Sequence, residues 1–100
     1  MLCKITSIKH SGTCGERGTD RIDDRYPQRI GRVVKLDIDH IEIGYPLLIR
    51  YIDGTSMKFS LLKTSCVKNY ITINDLEGIV KYITIETENS IFEFVRVDDE

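Results

Sequence analysis

Apolar and polar positions alternate along much of the chain, which is the pattern of β-strands that bury one face. Between Ile30 and Ile38 every second residue is apolar except Arg32. Phe92 and Phe94 share one face of the last apolar segment in the same way. The predicted strands are Leu2–Ile8, Ile30–Ile38, Leu47–Ile52, Met57–Leu62, Cys66–Ile73, Ile79–Thr87 and Ile91–Val97. We therefore expect six or seven short strands.

Tight turns separate the later strands, whereas one long loop separates the first two. Asp53-Gly54 is typical of a hairpin, because Gly accepts the positive φ that such turns need. Further turns are expected at Asn74–Gly78 and at Glu88-Asn89. The polar, Gly-rich connection 9–28 exceeds ordinary loop lengths, and such loops are usually functional or disordered. The pattern predicts one all-β domain over residues 1–100, a small barrel or a strongly bent antiparallel meander, with an SH3-like barrel among the options.

The composition supports strands over helices. The chain has fifteen Ile, eight Thr and six Val but no Ala. β-Branched side chains lose rotamer freedom on a helix, and Ala is the best helix former, so we expect helix in less than about a tenth of the residues. The predicted core residues are Ile30, Val34, Leu36, Leu48, Phe59, Ile83, Ile85, Phe92 and Phe94. No apolar run is long enough to span a membrane and no signal peptide is apparent, so a cytoplasmic protein with reduced cysteines is expected.

Basic residues are concentrated early in the chain and are mostly Arg. Five of the seven Arg lie between Arg17 and Arg32, and no Lys occurs between Lys9 and Lys35. A guanidinium group is a planar fork that binds phosphate or carboxylate through two parallel hydrogen bonds. Tyr26, within this segment, could stack on a base or on a guanidinium plane. The segment is therefore either an anion site or a surface loop whose Arg side chains pair with the nearby acids Glu16, Asp20, Asp23 and Asp24.

Two further segments combine hydroxyl groups with expected turns. Lys63-Thr64-Ser65 offers an ammonium group, two hydroxyls and turn N–H groups to a phosphate. The run 87–90 offers hydroxyls and an amide, although ordinary turn chemistry explains both segments as well. The candidate ligand-binding residues are Arg25, Tyr26, Arg29, Arg32, Lys63, Thr64 and Ser65. We also expect the segment 24–32 to be ordered, because Tyr26 and Ile30 are apolar anchors and Pro27 fixes φ between them.

Catalytic and metal-binding patterns are absent from the sequence. The chain has two His and no nucleophile elbow, Walker loop or HExxH motif. Asp37, Asp39 and Glu42 lack the turn glycine and the further ligands of a calcium loop, so a solvated strand end explains them. We expect a non-enzymatic protein without metal or cofactor.

Three short motifs carry a resemblance to a set of proteins. They are Asp24-Arg25-Tyr26-x-x-Arg29-Ile30-Gly31, Lys63-Thr64-Ser65-x-Val67 and Thr87-x-Asn89-Ser90-x-Phe92-x-Phe94. This pattern resembles short uncharacterised proteins of Clostridia-type bacteria, their phages and their mobile elements. The resemblance implies a small accessory protein of an element in conflict with its host.

Several functions remain open at this point. The first is capture of a small phosphorylated ligand, a nucleotide immune signal, by a counter-defence sponge that forms a homo-oligomer. The second is inhibition of a host defence nuclease, because residues 36–100 carry six basic against twelve acidic residues and could mimic nucleic acid. A third is a nucleic-acid-binding barrel, whose affinity would fall steeply with salt.

Overall fold

Six antiparallel strands close into a barrel in the computed structural model, which describes residues 1–13, 15–22, 26–52 and 61–97. The strands are β1 (Leu2–His10), β2 (Val33–Lys35), β3 (Pro46–Tyr51), β4 (Leu61–Asn74), β5 (Val80–Thr87) and β6 (Ser90–Arg96). Each strand pairs with its neighbours in sequence, and β6 returns to pair with β1. Two 3₁₀ turns, Tyr26–Arg29 and Ile38–His40, are the helical elements of this described part. The all-β prediction is confirmed, and none of these described helices is long and apolar enough to cross a membrane.

Alternating side chains of the strands fill the barrel. Phe92 and Phe94 point inward from β6, and their rings stack with centroids 6.4 Å apart. The fully buried apolar residues around them are Cys3, Ile5, Val34, Leu36, Ile49, Val67, Ile83 and Ile85. The core prediction is therefore confirmed at Val34, Leu36, Ile83, Ile85, Phe92 and Phe94.

Two predicted core residues lie outside the core instead. Ile30 is 43% exposed, because Gly31 adopts φ 87° and breaks the alternation before β2 begins. Leu48 is 62% exposed, because β3 turns the odd-numbered positions inward and Leu48 shares the outer face with Arg50. Phe59, the remaining predicted core residue, lies outside the described residues.

A β-bulge divides β1. The pairing with β6 shifts register between Ile5 and Ser7, so that Ile5 and Ile8 are both buried although they are three positions apart. On its other side β1 pairs with β2 only from Leu2 to Lys4. The stretch of β1 around Ser7 therefore faces the long loop rather than a strand.

The long loop returns along this open side of β1. The Gly31 N–H donates to the carbonyl oxygen of Ile5 at 2.7 Å, and the Arg21 N–H donates to that of Ile8 at 2.9 Å. The His10 N–H donates to the carbonyl oxygen of Thr19 at 2.8 Å. These backbone hydrogen bonds order the described part of the loop and place its side chains against the barrel.

The second half of the barrel is built on one long strand. The sequence predicted separate strands at 57–62 and 66–73 with a turn at Lys63-Thr64-Ser65, but these three residues lie inside β4. The turn prediction was wrong there, because β4 continues through this polar run by pairing with β3. The predicted hairpin turn at Asp53-Gly54 lies outside the described residues. The predicted turns after β4 and after β5 are present.

Candidate anion-binding site

Three Arg and two Tyr side chains alternate along the open side of the barrel. The Arg21 guanidinium carbon lies 4.2 Å from the Tyr26 ring centroid, and that of Arg29 lies 5.6 Å from the same centroid. Arg29 Nη1 donates a hydrogen bond of 2.8 Å to the Tyr51 hydroxyl, and the Arg32 guanidinium lies 4.0 Å from the Tyr51 ring centroid. We call these five side chains the Arg–Tyr column. Its tyrosine rings attract the guanidinium groups electrostatically and hold three positive charges close together.

Arg21 anchors the column at the end of the barrel where β5 turns into β6. Its side chain is only 9% exposed, and Nη1 donates to the Ser90 hydroxyl at 2.7 Å and to the Asn89 carbonyl oxygen at 3.4 Å. The hydrogen bond from the Arg21 N–H to β1 positions the residue so that its side chain can reach this turn. A guanidinium group held in this way is preorganised, so little side-chain freedom remains to be lost when an anion binds.

A cleft of about 270 Å³ opens between β1 and the loop, beside Arg21. Its apolar walls come from Ile8, Ile22, Pro27 and Ile30. Its polar groups come from Thr6, Ser7, Asp20 and Arg21. The cleft exists because the β2 side of β1 pairs with a strand only from Leu2 to Lys4, and the described part of the loop fills only part of the gap beyond.

Two buried donor groups near this site have no hydrogen-bond partner among the described residues. Ser7 is one of the residues that line the cleft, and its Oγ is buried without such a partner. Arg29 Nε, within the column, is likewise buried and has no hydrogen-bond partner there. A buried polar group without a partner costs free energy, and such groups call for a ligand, an ion or a water molecule. The hydroxyl and the guanidinium N–H both suit an acceptor such as a phosphate oxygen.

The loop is also fastened through Arg17. Its guanidinium group makes two hydrogen bonds of 2.8 Å with the two carboxylate oxygens of Glu86 on β5. These hydrogen bonds lower the pKa of the Glu86 carboxyl from its ordinary value, while partial burial opposes the shift. For Arg17, the expectation that it pairs with a nearby acid is wrong, because it pairs with an acid 69 residues away. Ser11 and Thr13 donate to the Glu88 carbonyl oxygen beside this ion pair.

The structure brings together part of the predicted site. Tyr26, Arg29 and Arg32 meet in the column, and the described part of the segment 24–32 is ordered. Of its two expected anchors, Tyr26 packs against the core, whereas Ile30 is exposed and lines the cleft instead. Arg25 lies outside the described residues.

The predicted residues of β4 lie elsewhere. Thr64 is buried, and its hydroxyl accepts from the Leu47 N–H at 3.0 Å and donates to the Ser65 carbonyl oxygen. Ser65 Oγ on β4 accepts from the Asn89 N–H at 3.1 Å. Arg21 binds the carbonyl oxygen of the same Asn89 from the loop. Lys63 is exposed and sits opposite Leu48 in the β3–β4 pairing. These hydroxyls therefore support the barrel, and the described contacts do not join them to the column.

Sequence reasoning missed three residues that shape the site. Arg21 is, in the sequence, only one of the five Arg between Arg17 and Arg32, because its buried partner Ser90 lies far along the chain. Tyr51 ends the apolar run of β3, and nothing local shows that its hydroxyl receives Arg29. The sequence does indicate a bulge near Ser7. Ile5 and Ile8 are both apolar and three positions apart, so both can face the core only with a bulge between them.

The acidic segment after β2 has a structural explanation. Asp37 Oδ1 accepts from the Asp39 N–H and caps the second 3₁₀ turn, and Asp37 Oδ2 lies 3.1 Å from His40 Nδ1. Within the ranges that the structure describes, no group of three or more His, Cys, Asp or Glu residues could hold a metal ion.

Comparisons with protein-family models, with curated proteins and with solved structures return no match. The chemistry of the site is therefore argued from its own residues. Four residues of the motifs quoted above, Tyr26, Arg29, Asn89 and Ser90, lie in the Arg–Tyr column or bind it directly.

Proposed function

We propose that the protein is a non-enzymatic binding protein that captures a small phosphorylated ligand, a nucleotide, in the cleft beside the Arg–Tyr column. The observation that carries the proposal is that Arg21, with its held guanidinium group, and Ser7, whose hydroxyl has no hydrogen-bond partner among the described residues, line one cleft. Guanidinium and hydroxyl donors together suit a phosphate group.

The rest of the cleft fits the other parts of a nucleotide. The apolar wall, which includes Ile22 and Pro27, offers a surface for one face of a base. Asp20, also in the lining, offers a carboxylate acceptor for sugar hydroxyls or for an amino group. The volume of about 270 Å³ is at the small end of ligand sites, which favours a mononucleotide or one half of a larger nucleotide.

The Arg–Tyr column contributes positive charge, which attracts an anion, and side chains that are already held in place. Arg29 shares the Tyr26 ring with Arg21, and Tyr51 links Arg29 to Arg32, so three positive groups attract an anion toward the cleft. Because tyrosine rings hold these groups in place, binding costs little conformational entropy.

The biological setting follows from the resemblance to proteins of phages and mobile elements. A protein that binds a nucleotide without converting it acts as a sponge, and sequestering a nucleotide immune signal would protect such an element from its host. We place this activity in the cytoplasm, where such ligands are made, and we include self-association of the chain in the proposal.

Isothermal titration calorimetry with a panel of linear and cyclic nucleotides tests the proposal. We expect Arg29→Ala to weaken binding, because Arg29 shares the Tyr26 ring with Arg21 and adds positive charge beside the cleft. Ser7→Ala should weaken binding by about 0.5–1.5 kcal/mol, as for a neutral hydrogen bond. Arg50→Ala is the matched control, because Arg50 is exposed on the outer face of β3. If Arg25 also contributes to binding, as the sequence predicts, Arg25→Ala should weaken nucleotide binding about as much as Arg29→Ala does.

Other outcomes would favour the alternative functions. Absence of heat with every nucleotide overturns the proposal. Tight binding to a host nuclease, seen on purification from the native host, would favour the inhibitor instead. Binding to nucleic acid with an affinity that falls steeply with salt would favour a nucleic-acid-binding barrel.

A further inference from the structure

One edge of β4 has no partner over its second half. The pairing of β4 with β3 ends at Cys66, opposite Pro46, and Val67 then exchanges backbone hydrogen bonds with Gly44 and Tyr45. Beyond that point β4 continues to Asn74 and pairs only with β5 among the described strands. Residues 68–74 therefore present a row of backbone N–H and C=O groups along an edge that the described part of the chain leaves uncovered.

This edge carries apolar side chains and little protection against pairing. Ile71 is 61% exposed and Ile73 is 57% exposed, and Tyr82 beside them on β5 is 50% exposed. The segment Lys68–Asn74 has no Pro and only one charged residue. Soluble proteins usually blunt a long apolar edge with Pro, charges or a covering loop. An edge without these devices is suited to pairing with another strand.

We propose that this edge pairs antiparallel with the same edge of a second copy of the chain. A two-fold axis relates the two copies. If residue i of the first copy faces residue j of the second, residue j of the first copy therefore also faces residue i of the second. With the axis at Ile71, the two Ile71 residues face each other and Tyr70 faces Thr72 of the other copy. The six-strand sheets of the two barrels then join through β4.

The polar residues at the ends of the edge favour a second copy as the occupant. In this register Lys68 faces Asn74 of the other copy, whose amide oxygen can accept a hydrogen bond from the ammonium group. The same contact forms at both ends of the interface, and no like charges face each other within it. Over seven residues the paired edge spans about 23 Å.

The proposed interface is independent of the ligand site. β4 lies opposite β1 in the order of the six strands, so a dimer through β4 leaves the cleft beside β1 open in both copies. Loss of the dimer should therefore leave nucleotide binding unchanged, and failure of either proposal can be recognised separately.

Light scattering coupled to size-exclusion chromatography, at high micromolar concentration, tests the dimer. We expect a dimer for the natural chain and at least about tenfold weaker association for Ile71→Lys, because two ammonium groups would then face each other across the axis. Leu48→Lys is the matched control, because Leu48 is 62% exposed on β3 and lies outside the proposed interface. A monomeric natural chain refutes the proposal, as does a dimer that Leu48→Lys weakens and Ile71→Lys does not.

Disulfide cross-linking tests the register. Directly opposed residues of antiparallel strands have Cα atoms about 4.5–5.5 Å apart, within the range of a disulfide. Oxidised Ile71→Cys should form a covalent dimer, whereas Leu48→Cys shows the background from the native cysteines. Equal cross-linking of the two variants would refute pairing at this edge, because β3 is not part of it.

Discussion

Arg21 offers the sharpest test of how the loop is held to the barrel. Its guanidinium group donates to the buried Ser90 hydroxyl at 2.7 Å and stacks 4.2 Å above the Tyr26 ring centroid. The side chain is 9% exposed, so water replaces few of these contacts. Arg21→Ala removes the donor and the stack together and leaves a buried hydroxyl without its partner.

The magnitude follows from those contacts. A hydrogen bond from a charged group contributes about 1.5–3 kcal/mol to stability, and a partly desolvated cation–π contact contributes about 0.5–2 kcal/mol. Relief of the desolvation of the buried guanidinium group offsets part of this sum. We expect a net loss of about 2–4 kcal/mol, which corresponds to a fall in melting temperature of roughly 10–30 °C for a domain of this size.

Thermal unfolding followed by circular dichroism measures this loss. Arg17→Ala is the control from the same loop, because the Arg17 side chain is 58% exposed, whereas the Glu86 side chain that it binds is 15% exposed. Since solvent screens the exposed guanidinium group, Arg17→Ala should lower the melting temperature less than Arg21→Ala does. Equal melting temperatures for the natural chain and Arg21→Ala would show that the column does not stabilise the fold, and our reasoning about Arg21 would then be wrong.

Two further predictions concern acid stability and the core. Because folding lowers the pKa of Glu86 below its ordinary value of 4.5, the stabilisation from its pair with Arg17 is present above that pH and is lost as the pH falls through the folded-state pKa. Acid unfolding of Glu86→Gln should therefore lack the part of the pH dependence that comes from the Glu86 carboxyl. Identical acid-unfolding profiles for the natural chain and Glu86→Gln would contradict this role of Glu86. Ile85→Ala should cost about 2–5 kcal/mol in chemical denaturation because Ile85 is fully buried, whereas Leu48→Ala should change stability by less than about 0.5 kcal/mol. A comparable loss from both variants would contradict the inward and outward faces of the strands.

The sequence by itself determined the class of the fold and most of its late strands. Alternation of period two holds wherever one face of a strand is buried, so Phe92 and Phe94 are read correctly as core residues. The turn after β5 is local chemistry, and it lies where its residue types predict it. Absence of Ala and abundance of Ile are likewise local preferences, and they agree with a barrel that has only short 3₁₀ turns in its described part.

Only the tertiary structure decided which face of a continuous apolar run is buried. Leu47 and Leu48 are adjacent and chemically identical, so which of them is buried depends on the pairing of β3 with its neighbours. Arg50 carried the one local indication, because a charge at an even-numbered position marks that face as the outer one. For Ile30 the alternation is continuous in sequence, and only the positive φ of Gly31 separates it from β2.

The site depended on tertiary structure most of all. The sequence shows that Arg is concentrated near Tyr26, but the partners of Arg21 and Arg29 are Ser90 and Tyr51, which lie 69 and 22 residues away. A hydrogen bond or a ring contact requires atoms within a few ångströms, and only closure of the barrel brings these side chains that close. The cleft has the same origin, because it forms where the bulge of β1 meets the returning loop.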